Sequence, residues 1–407
     1  MVPIPGGGVM PRIVAVELFE LDLPFRNPFH HAAAKREHSE SLFVRCVTDS
    51  GHCGFGETLP RPYVTGEERQ EAFDMLAGQI LPRLLELEFH LFSEVHDFLV
   101  HCDGKAPREW IEANTPQTSA WCLVDLALLD CFGRAFGTEV DRELAGRATE
   151  WPDGLAYGLV LSGNTGRGML TTLVKARVYG IRDVKLKVEE DSLDGVRLAR
   201  RILGKEATLR VDSNMAWSLE EASGCMTRMA PYGIESFEQP LPADDLDGLA
   251  RLVTDTGLPV MADESFDDAA SLQSLITRRA CTAVNVRIAK CGGLVASLER
   301  CRRSLQAGLT LQIGCQVGET SLLSAAQMTL IRAVWQGVSF IEGCFGERLL
   351  RVDPVRPTLK FGRGGRPPSR PRGNGFGTEV DMRVVRRYAR RRFAIGTANP
   401  TMVQGTR

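Results

Sequence analysis

The chain has 407 residues, more than a single hydrophobic core usually organises, and its 43% hydrophobic content is ordinary for globular proteins, so extensive disorder is excluded and two domains are expected. No apolar run reaches the roughly 18 residues needed to span a bilayer, and the opening Met1-Val-Pro-Ile-Pro-Gly-Gly-Gly lacks the basic and apolar regions of a signal peptide. A cytoplasmic location with no membrane partner is the expectation. The net charge of -2 is uneven: residues 361–392 carry ten arginines against Glu379 and Asp381, a balance of +8. No aromatic interleaving or nucleic-acid motif accompanies them, so they are read as a solvated loop and helix face rather than a nucleic-acid site.

In chain order, residues 1–10 read as a flexible extension, with Met10 as an alternative start. Residues 12–22 and 41–48 alternate like strands, and Thr48-Asp-Ser-Gly51 is a turn before Gly54-Phe-Gly-Glu57. Apolar residues fall at helical spacing from Gly66 to about Leu99 and from Pro116 to Phe136, which makes residues 1–145 an α+β unit. From 146 to 355 short apolar strands alternate with amphipathic helices. The strands lie near 156–161, 182–188, 207–212, 233–238, 259–263, 282–288, 309–313 and 338–342, which implies a closed (β/α) barrel. Ser218-Leu-Glu-Glu221 predicts a capped helix start just after the third of these strands. Beyond it, Gly362 to Gly375 has loop composition, and a helix is expected from Asp381 to Arg392, with residues 356–407 packing back on the first unit.

Eleven cysteines with no CxxC pair read as small core residues in a reducing compartment. All seven histidines lie within the first 101 residues. Chemistry in the barrel must therefore run without imidazole, which removes histidine-ligated zinc and Ser-His-Asp triads there.

Lys187, Asp212, Glu238, Asp263 and Lys290 recur at intervals of 25, 26, 25 and 27 residues, each the length of one strand-plus-helix unit. In a barrel such residues meet at one end around one cavity. Within Asp183-Val-Lys-Leu-Lys-Val188, period two puts Val184, Leu186 and Val188 on the helix-facing side and both Lys185 and Lys187 inward, each depressing the other's proton affinity, so that a neutral lysine base is expected. Asp212, Glu238 and Asp263 each stand where an apolar strand gives way to a loop. Three unpaired carboxylates would repel, and a hard, oxygen-seeking Mg²⁺ would neutralise most of that charge. An amine on each side of such a metal suits reversible proton movement next to a carboxylate, by way of an enediolate.

Taken together, Lys185-Leu-Lys187, Asp212-Ser-Asn214 with Trp217, Glu238-Gln-Pro240, Asp263-Glu-Ser265, Lys290-Cys-Gly-Gly293 and Gly318-Glu319 resemble the enolase superfamily, and within it the muconate lactonizing (muconate cycloisomerase) subgroup. The resemblance runs from about residue 12 to 390. It implies a modified (β/α)7β barrel beneath an α+β capping domain built from both chain ends. It also implies one Mg²⁺, with Mn²⁺ as a substitute, on Asp212, Glu238 and Asp263, with Glu264 and Arg287 beside those ligands. By the same resemblance Lys187 and Lys290 are the acid/base pair, and Lys185 tunes Lys187 and meets the substrate carboxylate. Asn214 and Glu319 would contact the substrate. Arg287 departs from the lysine common at that position. The lack of barrel histidine separates the chain from the mandelate racemase subgroup.

The implied activity is a Mg²⁺-dependent isomerase or lyase of muconate cycloisomerase type, acting on a small carboxylate in a homo-oligomer. Alternatives are o-succinylbenzoate synthase, N-acylamino acid racemase or dipeptide epimerase activity, and, more remotely, a catalytically silent binding protein. Phe340-Ile-Glu342-Gly lacks the D-x-D pair of dipeptide epimerases. Two capping loops, Pro24 to His31 and Leu59 to Thr65, are expected to shape the far end of the substrate. Arg26, His30 and His31 would meet a second carboxylate or polar tail, with Phe29 and Tyr63 as apolar walls.

Overall fold

The computed structural model describes residues 10–31, 34–112, 115–146, 151, 154–163, 166–189 and 192–396. Of the extension expected over residues 1–10, residues 1–9 lie outside the described residues. The chain begins with β1 (Ile13–Leu21), a hairpin of β2 (Pro24–His31) and β3 (Ala34–His38), and then β4 (Ser41–Thr48) and β5 (Cys53–Thr58) joined by the expected turn. Helices α1 (Pro62–Thr65), α2 (Arg69–Met75), α3 (Phe92–Cys102), α4 (Thr118–Ala135) and α5 (Val140–Ala145) follow. The helical run expected from Gly66 to Leu99 is broken after Met75 into a π turn and a 3₁₀ segment, because Pro82 has no N–H to continue the i→i−4 ladder. α4 is buried nearly all round. It lies directly on β5 because Gly56 has no side chain: a Cβ there would stand 1.9 Å from the Leu123 carbonyl oxygen.

The barrel follows as β6 (Leu159–Ser162), α6 (Arg167–Tyr179), β7 (Asp183–Lys187), α7 (Leu193–Leu203), β8 (Thr208–Asp212), α8 (Leu219–Met229), β9 (Ile234–Glu238) and α9 (Leu246–Thr256), then β10 (Val260–Ala262), α10 (Ala269–Arg278), β11 (Ala283–Val286), α11 (Leu294–Gln306), β12 (Thr310–Ile313), α12 (Ser321–Val334) and β13 (Val338–Ile341). Eight parallel strands pair in chain order, and a parallel bridge from Tyr157 to Ile341 brings the first beside the last. Seven helices alternate with these strands, the (β/α)7β pattern. Val184, Leu186 and Val188 are buried under the helices, as period two requires. The capping box at α8 forms as expected: the Ser218 hydroxyl accepts from Glu221 N while Ser218 N donates to the Glu221 carboxylate at 2.7 Å.

The C-terminal region pairs β14 (Val355–Arg356) with β15 (Glu379–Val380), forms α13 (Met382–Tyr388), and ends in β16 (Ala389–Gly396), which lies antiparallel to β1. The helix expected to run to Arg392 therefore stops at Tyr388. Beyond it the burial alternates residue by residue, because Phe393 and Ile395 face the core at strand spacing and the open edge of β1 supplies the hydrogen bonds. The capping sheet thus has the order β16-β1-β4-β5 and contains both ends of the described chain. Several of the clustered arginines pair within the molecule: Arg390 with Asp22 at 3.2 Å, Arg391 with Asp74 at 2.7 Å, Arg392 with Glu17, and Arg370 with Asp141.

Buried acids join the cap to the barrel at helix N-termini, where unpaired amides favour an acceptor. Glu57 of β5 accepts from Thr320 N at 3.0 Å and Thr320 Oγ1 at 2.6 Å, at the start of α12. Asp125 of α4 accepts from Leu294 N at 2.7 Å, at the start of α11. Among the described residues, no helix is long and apolar enough to cross a membrane.

Candidate active site

The strand register sets the functional ladder: Lys187 pairs with Asp212, and Asp212 with Glu238. Asp263 comes immediately after β10 and Lys290 four residues after β11. A cavity of about 140 Å³ opens at this end of the barrel, with Lys185, Lys187, Asp212, Asn214, Glu264, Arg287 and Glu342 on its barrel side and Arg36 and Tyr63 on its cap side.

The two lysines of β7 differ in environment. Lys185 is buried, with its amine 2.8 Å from Glu238 Oε2, 3.0 Å from Glu342 Oε2 and 3.7 Å from Asp212 Oδ2. Burial alone would favour the neutral amine, but the charges of Glu238, Glu342 and Asp212 outweigh it and hold Lys185 above the ordinary lysine value. The expectation that the pair would depress each other is corrected for Lys185: it is a fixed ammonium, because three carboxylates surround it. Lys187 is more open to the cavity, donates to Asn214 Oδ1 at 2.6 Å and stands 3.5 Å from Asp212. Asn214, in a left-handed turn at φ 45°, also donates from its amide nitrogen to Glu264 Oε1 at 3.3 Å.

The acids converge from three strands and pair with the cations. Burial pushes Glu238 upward, but Lys185, Arg287 and Arg210 bring it down to about 2, so it is anionic. It also accepts from Asn285 Nδ2 at 2.9 Å and Gln312 Nε2 at 3.1 Å. Asp263 is fully buried between the Lys290 amine, at 2.7 Å, and the Arg287 guanidinium. Burial, then the charges of Asp212 and Glu238, raise Glu264 to about 7.

The remaining candidates fall in different places. Lys290 is fully buried and donates to Asp263 O at 2.6 Å and Asn285 O at 3.0 Å, behind Asp263 rather than on the cavity wall. Arg287 takes the place on that wall. Tyr63 lines the cavity. Glu319 folds back to accept from Gln316 N at 2.6 Å and does not line the cavity. Arg26 is exposed and donates to the Glu347 carbonyl, away from the cavity. The side chains of Phe29, His30 and His31 lie outside the described residues.

A family model described as enolase C-terminal domain-like matches residues 169–384, more than half of the chain. The chain belongs to the enolase superfamily. Curated relatives include an N-succinyl-L-Arg/Lys racemase of Bacillus cereus, 26% identical over 77% of this chain and 82% of that protein, and a chloromuconate cycloisomerase of Cupriavidus necator, 25% identical over 93% of this chain and 99% of that protein. Among solved structures, the dipeptide epimerase of Cytophaga hutchinsonii, complexed with Mg and D-Ala-L-Val, shares the fold with a TM-score of 0.81 at 24% identity, covering 95% of this chain and all of that one. Isomerases of the enolase superfamily are thus the chain's relatives, and it is an enzyme of that kind.

The residues at the barrel end fit a hard divalent cation. The donors are all carboxylate oxygens, and the buried Glu264 Oε2 accepts no hydrogen bond, while Asp263 Oδ2 is met by the Arg287 guanidinium. As placed, the acids are drawn to amines and guanidinium, and among the described residues no three His, Cys, Asp or Glu form a ready metal cluster.

Sequence reasoning missed the layer beneath the ladder. Arg210 is buried, donates to both Asp183 oxygens at 2.8 and 3.0 Å, and reaches Glu342 Oε1 at 2.7 Å. With Gln312 and Asn285 it makes a polar floor where barrels of this kind usually carry branched apolar side chains. Stepping back two residues from Asp212 along the inward face reaches Arg210, so the signal was available. Arg36 was also missed, because its strand carries no apolar alternation.

Proposed function

We propose that this protein is a Mg²⁺-dependent isomerase or lyase that removes the α-proton of a carboxylate substrate, or the vinylogous proton, by way of an enediolate. The observation that carries this reading is Lys187, whose amine reaches the cavity, is held by Asn214 at 2.6 Å and stands next to Asp212. Asp212, Glu238 and Asp263 would hold the ion, with Glu264 beside them. When bound, Mg²⁺ supplies positive charge against the negative charge that develops on the enediolate. Lys187 takes the proton, and Asn214 aims its amine. Lys185, kept charged by Glu238 and Glu342, steadies the substrate carboxylate.

A cycloisomerase-type outcome leads, because moving a proton on one face needs one amine and Lys290 is turned onto Asp263. The likeness to the chloromuconate cycloisomerase along 93% of the chain supports it. Dehydration to an o-succinylbenzoate would use the same half-reaction. N-acylamino acid racemisation is the second reading, favoured because Lys290 follows β11, four strands from β7 and so across the barrel. The likeness to the N-succinyl-L-Arg/Lys racemase agrees with it.

The test is exchange of substrate α-hydrogen with D₂O across muconates, N-acylamino acids, dipeptides and an o-succinylbenzoate precursor. Metal-dependent exchange with at least one class, abolished in Lys187→Ala, is expected. Absence of exchange with every class would favour a silent binding protein.

A further inference from the structure

A (β/α)8 barrel closes with a helix after its last strand, packed between the seventh helix and the first. Here a 3₁₀ turn, Gly346–Arg348, and the chain running on to Phe361 follow β13 instead. The first barrel helix, α6, is left with apolar side chains uncovered: Leu170, Val174 and Val178 recur at every fourth residue, and Val178 is 70% exposed. Between α6 and that chain lies a groove of about 860 Å³, a volume within the range of small-molecule sites. Leu159, Val174, Val178, Ile181, Leu349 and Phe361 give it apolar walls. Phe345 and Leu349 are shared with the active-site cavity, so the two spaces lie back to back.

The charged residues of the groove's lining are Lys175, Arg348 and Arg363, with no acid among them. α6 itself, Arg167–Tyr179, contains no Asp or Glu. Arg348 lies over two aromatic rings, its guanidinium carbon 5.0 Å from the Tyr179 ring centre and 4.8 Å from that of Phe361, and its Nε donates to Phe361 O at 3.0 Å. Apolar walls and a positioned guanidinium thus share one concavity. A second copy of the chain fits this face poorly. A twofold contact sets a patch against itself, so Lys175, Arg348 and Arg363 would meet their own counterparts, with no acid of the lining to balance them.

We propose that this groove binds an amphipathic carboxylate about the size of a medium-chain fatty acid, its apolar body along α6 and its carboxylate on Arg348. Burial of the chain against Val174, Val178 and Phe361 supplies the attraction, and the guanidinium selects the anion by charge-assisted hydrogen bonds. Occupancy of the groove requires neither Mg²⁺ nor Lys187.

The test is titration calorimetry in Mg²⁺-free buffer with decanoate below its micelle concentration, beside decyltrimethylammonium and acetate. Decanoate is expected to bind saturably. Decyltrimethylammonium, with the same chain and the opposite charge, should bind at least about tenfold more weakly, and acetate, which lacks the chain, should give no saturable heat. Val178→Asp, at an exposed position where the fold is indifferent to the change, should weaken decanoate by about tenfold or more, and Lys187→Ala should leave it unchanged. Lys175→Glu should narrow or reverse the preference for the anion, a change that a misfolded variant could not mimic. No saturable binding of decanoate, or equal affinity for the two charged probes, overturns the inference. So does binding lost in Lys187→Ala and kept in Val178→Asp, which would place decanoate in the active-site cavity. A wild-type dimer in sedimentation that Val178→Asp dissociates, with no decanoate bound, would give the face to a second copy and overturn it as well.

Discussion

At the scale of single residues, the site works by giving chemically similar groups different surroundings. Lys185 and Lys187 are two positions apart on one strand, yet one is locked as an ammonium by three carboxylates and the other faces the cavity beside an amide oxygen. Asn214 carries that distinction, since it holds the Lys187 amine and links it to Glu264. Asn214→Ala should therefore lower kcat by about a hundredfold with little change in KM. Steady-state kinetics on whichever substrate exchanges would show it, and a loss confined to KM would mean that Asn214 only contacts substrate. For the ion, Asp212→Asn removes a charged donor, and Mg²⁺ should then no longer raise the thermal midpoint; a wild-type-sized shift in that variant would remove Asp212 from the ligand set. The ladder itself was readable in the sequence, because period two and unit spacing are local properties. The orientation of Lys290 and the retreat of Glu319 were not, because they depend on Arg287 and on the Gln316 turn, whose placement needs the folded barrel.

At the scale of elements, the cap and the barrel are joined by carboxylates set against helix starts. Glu57 meets α12, Asp125 meets α11, and within the cap Glu67 accepts from Ser119 N and Ala120 N at the start of α4 at 2.7 and 2.8 Å. Burial, offset in part by the Thr320 hydrogen bonds and assisted by Glu319 and Asp353, pushes Glu57 up to about 8, and burial pushes Glu67 and Asp125 to about 7. These folded-state values lie above the ordinary ones of 4.5 for Glu and 3.8 for Asp. The folded protein thus keeps protons that the unfolded chain releases, and the stability from these groups is full at low pH and is lost as pH rises through 7 to 8. Thermal midpoints should decline between pH 5.5 and 8.5, and Glu57→Gln should flatten that slope. A midpoint that climbs across this window, or a slope unchanged by the substitution, would refute the assignment. Strand positions and the α8 cap were legible from spacing and local chemistry. These longer-range caps were not, since Glu57 and Thr320 are 263 residues apart in sequence.

For the whole molecule, the C-terminal strand decides whether the cap is a closed unit. β16 pairs with β1 from Ala389 to Gly396, and Arg390, Arg391 and Arg392 reach acids of the cap. The arginine-rich composition suggested a solvated helix because charge runs usually are solvated; the tail instead completes a sheet, as its alternating Phe393 and Ile395 require. Ending the chain at Tyr388 would leave β1 with an unpaired edge and strip its acids of these partners. The barrel's own strands and acids would be untouched. Such a truncation should weaken substrate binding more than it weakens the Mg²⁺-dependent gain in thermal midpoint, because Arg36 and Tyr63 sit on the cap and the carboxylates sit on the barrel. Hydrogen exchange should rise first along β1 and the β2–β3 hairpin and least along β7 to β9. Uniform exchange over both regions would show instead that cap and barrel unfold as one cooperative unit, with the tail strand stabilising the barrel as much as the sheet it joins.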